Sequence, residues 1–538
     1  VLPILAGGSI GLLLFVNLYH VLSTLIGNAD ILLLPNLYRD IASGSFQWFC
    51  WCLPPARNIF PDLAVFSLLR SFIPGDMLAL FIQVLLYVLL LGLLIAYLAH
   101  KLSGISYARS LLPVFLAMAL FTLPGVFAPG AIYGLVMPTW HGGAVPLTLL
   151  AWIIWLSCME SPGPWKLPGL AVISCVLGFS DPLCFMTFVY PAALAIFFSK
   201  YIWVFKVGFV LLVVCPALLG NWFGDLLVLI SPIQYAHQGG IDVPSILASC
   251  GRFFMDFADG RVMLCWLTFL IGLMTVLWCW KVTWMNAYKW VGLILVLFMP
   301  VMGTLLVGRY GDSANFRYFP LTFLLPLVAL VWLAWRKYSR PLSAAVAIIA
   351  ALTVCACLRY LPSWAEMTSL RDAELIESCA GDMRLKCGLA NYFLSGVLRY
   401  HSHGSLMVND LDVRGFLNMK LCSLAWLGLP YTPPPAREYN FILTRDLDRR
   451  MLLLIYGPPS RVYTIFLEKQ GCQLWLYNRD LAESMAIQPQ LLALWGQRLE
   501  KSGYLLNLSG IYSPQLAALK EKGNMRGWEA STYTRRIM

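Results

Sequence analysis

Charge is scarce in this chain of 538 residues: 12% are Asp, Glu, Lys or Arg, about half the ~25% usual in soluble domains. That shortage excludes an ordinary soluble enzyme. Histidine is scarcer still, with six residues, and no His/Cys/Asp/Glu spacing specifies a zinc site. The sequence has no phosphate-cradling P-loop and no G-x-G-x-x-G after a strand, which argues against ATP-driven or nicotinamide chemistry. It has no basic run and no interleaved basic-aromatic motif, so nucleic acid is not an expected partner. No inverted repeat shows in the segment lengths, and no Glu, Lys or Arg sits near the centre of an apolar run. Both absences argue against a coupled carrier.

What the chain has instead is apolar bulk. Hydrophobic residues make up 59% and aromatic residues 14%, and the mean hydropathy is +0.73. Apolar stretches near 20 residues long predict a polytopic α-helical membrane protein. Eleven spans are expected: 2–27, 77–99, 111–128, 145–158, 168–180, 183–199, 203–220, 262–280, 288–308, 318–335 and 341–360. The run 168–199 is split because Ser180-Asp181-Pro182 is a turn signal, and one helix of that length would be about 48 Å long against a core of about 30 Å. The N-terminal segment has no basic flank or small-residue cleavage motif and reads as a retained span; the first residue is Val rather than Met, so some leading residues are expected to be missing.

Charge is also uneven along the chain. Residues 1–360 hold 29 charged residues, about 8%, whereas 361–538 hold 36 of 178, about 20%. The expected organisation is a transmembrane domain, 1–360, with long outer loops at 28–76 and 221–261, followed by a soluble α/β domain, 361–538. In the tail, a helical stretch over 365–400 is expected. Strands are expected at Ser405–Val408, Leu421–Leu427, Tyr439–Leu443, Val462–Phe466 and Cys472–Tyr477, with more helix over 480–523. Cys379 with Cys387, and Cys422 with Cys472, are candidate disulfides in an oxidising compartment.

With the N-terminus inside, every Lys before residue 361 falls on the inner side: Lys101, Lys166, Lys200, Lys206, Lys281, Lys289 and Lys337. That is the positive-inside pattern. It places the C-terminal domain on the outer face, as in the periplasm outside a bacterial inner membrane. The outer side then holds ten Asp and eight Arg and no Lys. Arg presents a planar fork of donors suited to phosphate or carboxylate. Any one of these charges could be a solvated loop residue; as a set they point to an anionic substrate.

The first outer loop runs from Asn28-Ala29-Asp30 through Tyr38-Arg39-Asp40, Gly44 and Trp48 to Pro61-Asp62-Leu63. The stretches 31–43 and 62–73 look like amphipathic interfacial helices. This arrangement resembles the GT-C superfamily of membrane glycosyltransferases, in the branch of protein mannosyltransferases and lipid A aminoarabinose transferases. Asp30 takes the position of that branch's Asp after the first span. Tyr38, Ala42, Gly44 and Trp48 resemble its middle patch, and Pro61-Asp62-Leu63 its Pro-Pro-Leu patch, with Asp in place of the second Pro. No Glu follows Asp30.

The resemblance implies transfer of a sugar from a polyprenyl-phosphate carrier in the bilayer to a glycan, lipid or protein acceptor at the outer face. Such transfer needs a base for the acceptor and cations or a metal for the phosphate leaving group. Asp30 is the candidate base, with Asp40 or Asp62 as helper or metal ligand; the competing role for Asp30 is capping the 31–43 helix. Arg317, then Arg309, resemble the carrier-phosphate ligand of the family's late outer loop, with Tyr318 beside it; interface anchoring is the alternative. His141, Asp181 and Arg39 are substrate-binding candidates. His141 also fits a simple tight turn beside Gly142-Gly143, and Asp181 a helix cap. No cofactor is specified, and a divalent cation held by carboxylates and phosphate is compatible with the residues. A lipid-linked saccharide transporter or flippase, and a non-catalytic membrane subunit with an outer partner-binding domain, are the alternative functions.

Overall fold

The computed structural model describes residues 2–25, 29–43, 51–52, 59–123, 125–227, 243–279, 287–308, 310–360, 371–402, 406–418, 422–423, 438–467 and 470–486. The chain is mostly helical and divides into two compact units. One comprises Val1–Ile26, Pro55–Gly224 and Tyr235–Thr368. The other comprises Gly27–Pro54, Asp225–Gln234 and Ser369–Met538. The early part of the first loop therefore groups with the C-terminal region, a partition that hydropathy along the chain does not reveal.

In the first unit, five helices among the described residues are long and apolar enough to cross a membrane: Ala6–Ser23, Asp76–Leu102, Trp203–Asp225, Ala287–Leu306 and Pro320–Tyr338. A sixth results if Val243–Ala258 and Gly260–Met274, bent by 99°, count as one broken span. The expectation of eleven is thus corrected to five or six. Four of the expected spans fall on the shorter helices Tyr107–Phe121, Ala144–Glu160, Lys166–Ser180 and Phe185–Phe198. At 1.5 Å per residue these reach only about 20–26 Å, short of a core of about 30 Å. The expected break between 318–335 and 341–360 is present: the helical run Pro320–Tyr360 is interrupted at Tyr338, whose φ of −128° and ψ of 36° are not helical. Hydropathy reads apolar length and not the length of each regular helix. The expected break at Asp181 is present: Lys166–Ser180 ends there, with Asp181 in extended conformation.

Three helices in this unit carry polar or charged residues at both ends. Asp76–Ser103 begins at Asp76 and carries Lys101 in its last turn. Lys166–Ser180 starts on Lys166 and ends against Asp181. Ala144–Glu160 starts beside His141 and ends on Glu160, whose carboxylate accepts from Lys101 Nζ at 2.7 Å and Lys289 Nζ at 2.8 Å. Residues assigned to the inner side by the lysine pattern therefore meet at one end of these helices. Seventeen residues of helix separate that end from His141, about 25 Å.

The second unit holds a five-stranded sheet built from β2 (Cys387–Asn391), β3 (Met407–Leu411), β5 (Tyr439–Leu443), β6 (Arg461–Leu467) and β7 (Gln470–Leu476), in the order β3-β2-β5-β7-β6. β2 runs parallel to β3 and β5, and β7 antiparallel to β5 and β6. The helix Tyr392–His401 makes the crossover from β2 to β3, which a parallel pair requires. Leu394 and Leu398 of this helix close over Val408, Phe441 and Leu474 in the core. A separate two-residue pair joins β1 (Trp51–Cys52) to β4 (Cys422–Ser423).

The expected strand Tyr439–Leu443 is observed with the same bounds. The expected helical stretch 365–400 is instead a helix, Arg371–Met383, then β2, then the crossover helix. β2 escapes sequence reading because Cys-Gly-Leu-Ala-Asn is buried at four successive positions, so it shows no alternation. Most of the expected helical end, 487–523, lies outside the described residues. In the first loop, the expected interfacial helices appear as Leu33–Ala42 and Ala64–Phe72.

Both expected disulfides are corrected. Cys379 is a free thiol, and so is Cys472, buried under the sheet. Cys472 carries its small apolar side chain in the core, and β4 pairs Cys422 elsewhere.

Candidate functional site

Five of the residues singled out from the sequence converge in the first unit: Asp62, His141, Asp181, Arg317 and Tyr318. The turn that carries His141 makes the convergence. Pro138–Trp140 forms one turn of 3-10 helix. His141 then takes a left-handed backbone, φ 81°, and Gly142 N–H closes back onto Met137 O at 2.9 Å. His141 O accepts from Ala144 and Val145 at 2.9 and 3.1 Å, starting the next helix. The turn and the functional reading of His141 are therefore compatible: the turn aims the ring.

His141 Nδ1 meets Asp181 Oδ2 in a short hydrogen bond. Asp181 is buried, and its second oxygen accepts from Leu183 N at 2.9 Å. The carboxylate thus caps the following turn, as one of its two expected roles requires, and also orients the imidazole. A carboxylate on one ring nitrogen selects the tautomer and leaves Nε2 for chemistry.

Asp62 lies on the other side of the same turn. A Cβ on Gly143 would stand 2.7 Å from Pro61 Cγ, and Asp62 Oδ1 would be closer still, so only glycine admits this approach. Asp62 is 2% exposed, and its Oδ1 has no hydrogen-bond partner among the described residues. Burial pushes its carboxyl well above the usual carboxylate range, opposed by the phenol of Tyr87 and the Gly143 amide, with Asp181 adding to the rise. Burial of this kind favours the protonated form of a carboxyl, which can donate a hydrogen bond. Gln83 Nε2 ties the segment down, donating to Asp62 O at 2.9 Å and Tyr87 Oη at 3.0 Å.

Arg317 completes the cluster. Its segment, Ser313–Tyr318, starts in a capping box made by Asp312 and Asn315 and lies against the helix Pro129–Val136. Glycines permit that contact: a Cβ on Gly134 would stand 2.5 Å from Arg317 Cα, and one on Gly130 2.8 Å from Ala314 O. The half-buried guanidinium lies 4.6 Å from the centre of the Trp140 ring and 5.0 Å from that of Tyr318. Its Nη2 donates to Tyr318 Oη at 3.0 Å. The Tyr318 ring is in turn 5.4 Å from that of His141. Among the described residues, Arg317 has no carboxylate partner. A partly desolvated cation stacked on two rings and lacking a counter-ion is suited to an external anion.

Beneath His141 and Tyr318 lies a small cleft, with Thr148 and Thr187 as further polar lining. A larger cavity lies elsewhere in the same unit, lined by Ile95, Leu98, Leu297 and Trp332 among others. Its walls are apolar and it sits near the Lys101 end of Asp76–Ser103, so it is not part of this cluster.

Asp30, Arg39 and Asp40 belong to the second unit. Asp30 does not cap the helix after it: the N-cap of Leu33–Ala42 is Leu32, without a side-chain bond. Its carboxylate accepts instead from Tyr392 Oη at 2.5 Å. Arg39 lies 4.2 Å over the Tyr400 ring and donates to Tyr400 O at 2.8 Å. Asp40 is half-buried on the same helix, and its carbonyl accepts from Ser43 Oγ at 3.1 Å. Arg309 lies outside the described residues. Among the described residues, no group of three or more His, Cys, Asp and Glu side chains gathers to hold a metal ion.

Sequence reading missed Gln83, Tyr87, Trp140 and Tyr392. A Gln four residues before a Tyr inside an apolar helix is a usable signal for the first two. Trp140 and Tyr392 are marked only by their neighbours in space.

No family model, no curated protein and no solved structure matches this chain. The helices long and apolar enough to span a bilayer mark it as a membrane protein.

Proposed function

We propose that the chain is a GT-C-like membrane glycosyltransferase that moves a sugar from a polyprenyl-phosphate carrier to an acceptor hydroxyl or amine at the outer face of a bacterial inner membrane, with its C-terminal domain in the periplasm. The observation that carries this reading is Arg317: a half-buried guanidinium without a carboxylate partner among the described residues, 3.0 Å from Tyr318 Oη and one ring away from a carboxylate–histidine pair.

In this reading the acceptor attacks the anomeric carbon and the bond from that carbon to the phosphate oxygen breaks. The electron pair leaves with the polyprenyl phosphate, whose growing charge Arg317 and the Tyr318 hydroxyl stabilise. The acceptor's proton passes to His141 Nε2, oriented through Nδ1 by Asp181. Asp62, neutral and buried, donates a hydrogen bond to the sugar or the phosphate. Asp30, the base implied by the first-loop resemblance, is tested separately.

The experiment supplies the protein in native membranes with a panel of polyprenyl-phosphate sugars and follows the acceptor pool by mass spectrometry. Wild type is expected to transfer from at least one donor, and His141→Ala to lose most of that activity. Full turnover in His141→Ala or in Asp30→Asn removes that residue from the base role. Absence of transfer from every donor, with the lipid-linked sugar crossing the bilayer, would replace the enzyme by a transporter.

A further inference from the structure

We infer that Cys52, in the first loop, and Cys422, in the C-terminal region, form a disulfide that staples these distant parts of the chain into one unit. β1 and β4 pair antiparallel with Trp51 opposite Ser423 and Cys52 opposite Cys422. Directly opposed residues of an antiparallel ladder have Cα atoms about 4.5–5.5 Å apart. Disulfides join Cα atoms about 4.4–6.8 Å apart. The register therefore sets the two cysteines opposite one another, at a spacing of Cα atoms that disulfides span.

Two further observations favour this pairing. The partner that sequence spacing offered to Cys422, Cys472, is a buried free thiol in the core of the sheet. The rest of the first loop is also held to this unit. Asp30 accepts from Tyr392 Oη, Arg39 donates to Tyr400 O, and a Cβ on Gly396 would stand 2.7 Å from Ala29 Cβ.

The oxidation removes two protons and two electrons from the two thiols and forms one sulfur–sulfur bond. The electrons reduce the disulfide of a thiol–disulfide oxidoreductase by exchange through a mixed disulfide, in an oxidising compartment.

The test uses the full chain in native membranes. Free thiols are trapped by acid quench and alkylation before digestion, and peptides are mapped with and without reductant. The expected result is a reductant-sensitive peptide joining residues 52 and 422, absent from Cys52→Ala and from Cys422→Ala. Thermal unfolding adds an independent readout. Each single variant and the double variant should lower the wild-type midpoint by the same shift, and reductant should lower wild type but not the double variant. Recovery of both cysteines alkylated without reduction overturns the inference. So does a link from Cys52 to neighbouring Cys50, or additive shifts in the double variant.

Discussion

Replacing Arg317 tests the proposed donor site most directly. Arg317→Ala removes the guanidinium held between Trp140 and Tyr318 at 4.6 and 5.0 Å. A charge-assisted hydrogen bond is worth roughly 1.5–3 kcal/mol. A half-buried fork that makes one or two such bonds to a phosphate thus contributes about 3 kcal/mol, or about a hundredfold in Kd. Arg317→Lys keeps the charge but loses the fork and the stacking on Trp140, so its loss is smaller, about tenfold. The assay is binding of a short-chain polyprenyl phosphate to purified protein in lipid nanodiscs, at fixed ionic strength because exposed charge pairs are screened by salt. The expected order is wild type tightest, Lys intermediate and Ala weakest. Binding by Arg317→Ala within twofold of wild type refutes the assignment.

Two further outcomes follow from the geometry. Gly143→Ala forces a methyl group to within 2.7 Å of Pro61 Cγ beside Asp62; overpacking of this kind costs about 1–3 kcal/mol, so a lower unfolding midpoint and impaired transfer are expected, and an unchanged midpoint would mean that the turn has room. Asp410, buried beside Ser395 and Arg399, has its carboxyl pushed up to about 7 by burial, with Arg399 and then Ser395 opposing. Its folded state binds the proton more tightly than the unfolded chain, so stability falls as pH rises from about 4 to about 7 and is flat above, a change of about 4 kcal/mol. Hydrogen-exchange protection of Met407–Leu411, corrected for the intrinsic rate, should follow that slope in wild type and lose it in Asp410→Asn; equal slopes in the two proteins would refute this.

Much of the site was legible in the chain because its residues break local expectations. An Asp between two apolar helices, a His before a Gly pair and an Arg-Tyr pair before a span are all out of place in apolar surroundings. His141 and Asp181 were found on that ground, and Asp62, Arg317 and Tyr318 through the first-loop and late-loop resemblance to the GT-C superfamily. Their roles were less legible. Asp62 reads as a helper carboxylate in sequence, but burial under the Gly143 turn pushes its carboxyl well above the usual carboxylate range. Asp30 reads as a helix cap or a base, but its side chain accepts from a tyrosine 362 residues away. The number of spans was overcounted because apolar character continues through helices of 15–17 residues. β2 was missed because complete burial erases the alternation that marks a strand.

The sequence by itself determined that the chain is a membrane protein with a more polar C-terminal region, because scarce charge and long apolar runs act locally and need no partner. It also placed Asp and Lys at opposite ends of two helices, Asp76–Ser103 and Lys166–Ser180. Tertiary structure alone decided which charges meet. Glycines at 130, 134 and 143 let backbones approach until Arg317, His141 and Asp62 share one neighbourhood, and sheet register set Cys52 opposite Cys422. Such meetings depend on close packing between segments far apart in the chain, and no local pattern encodes them.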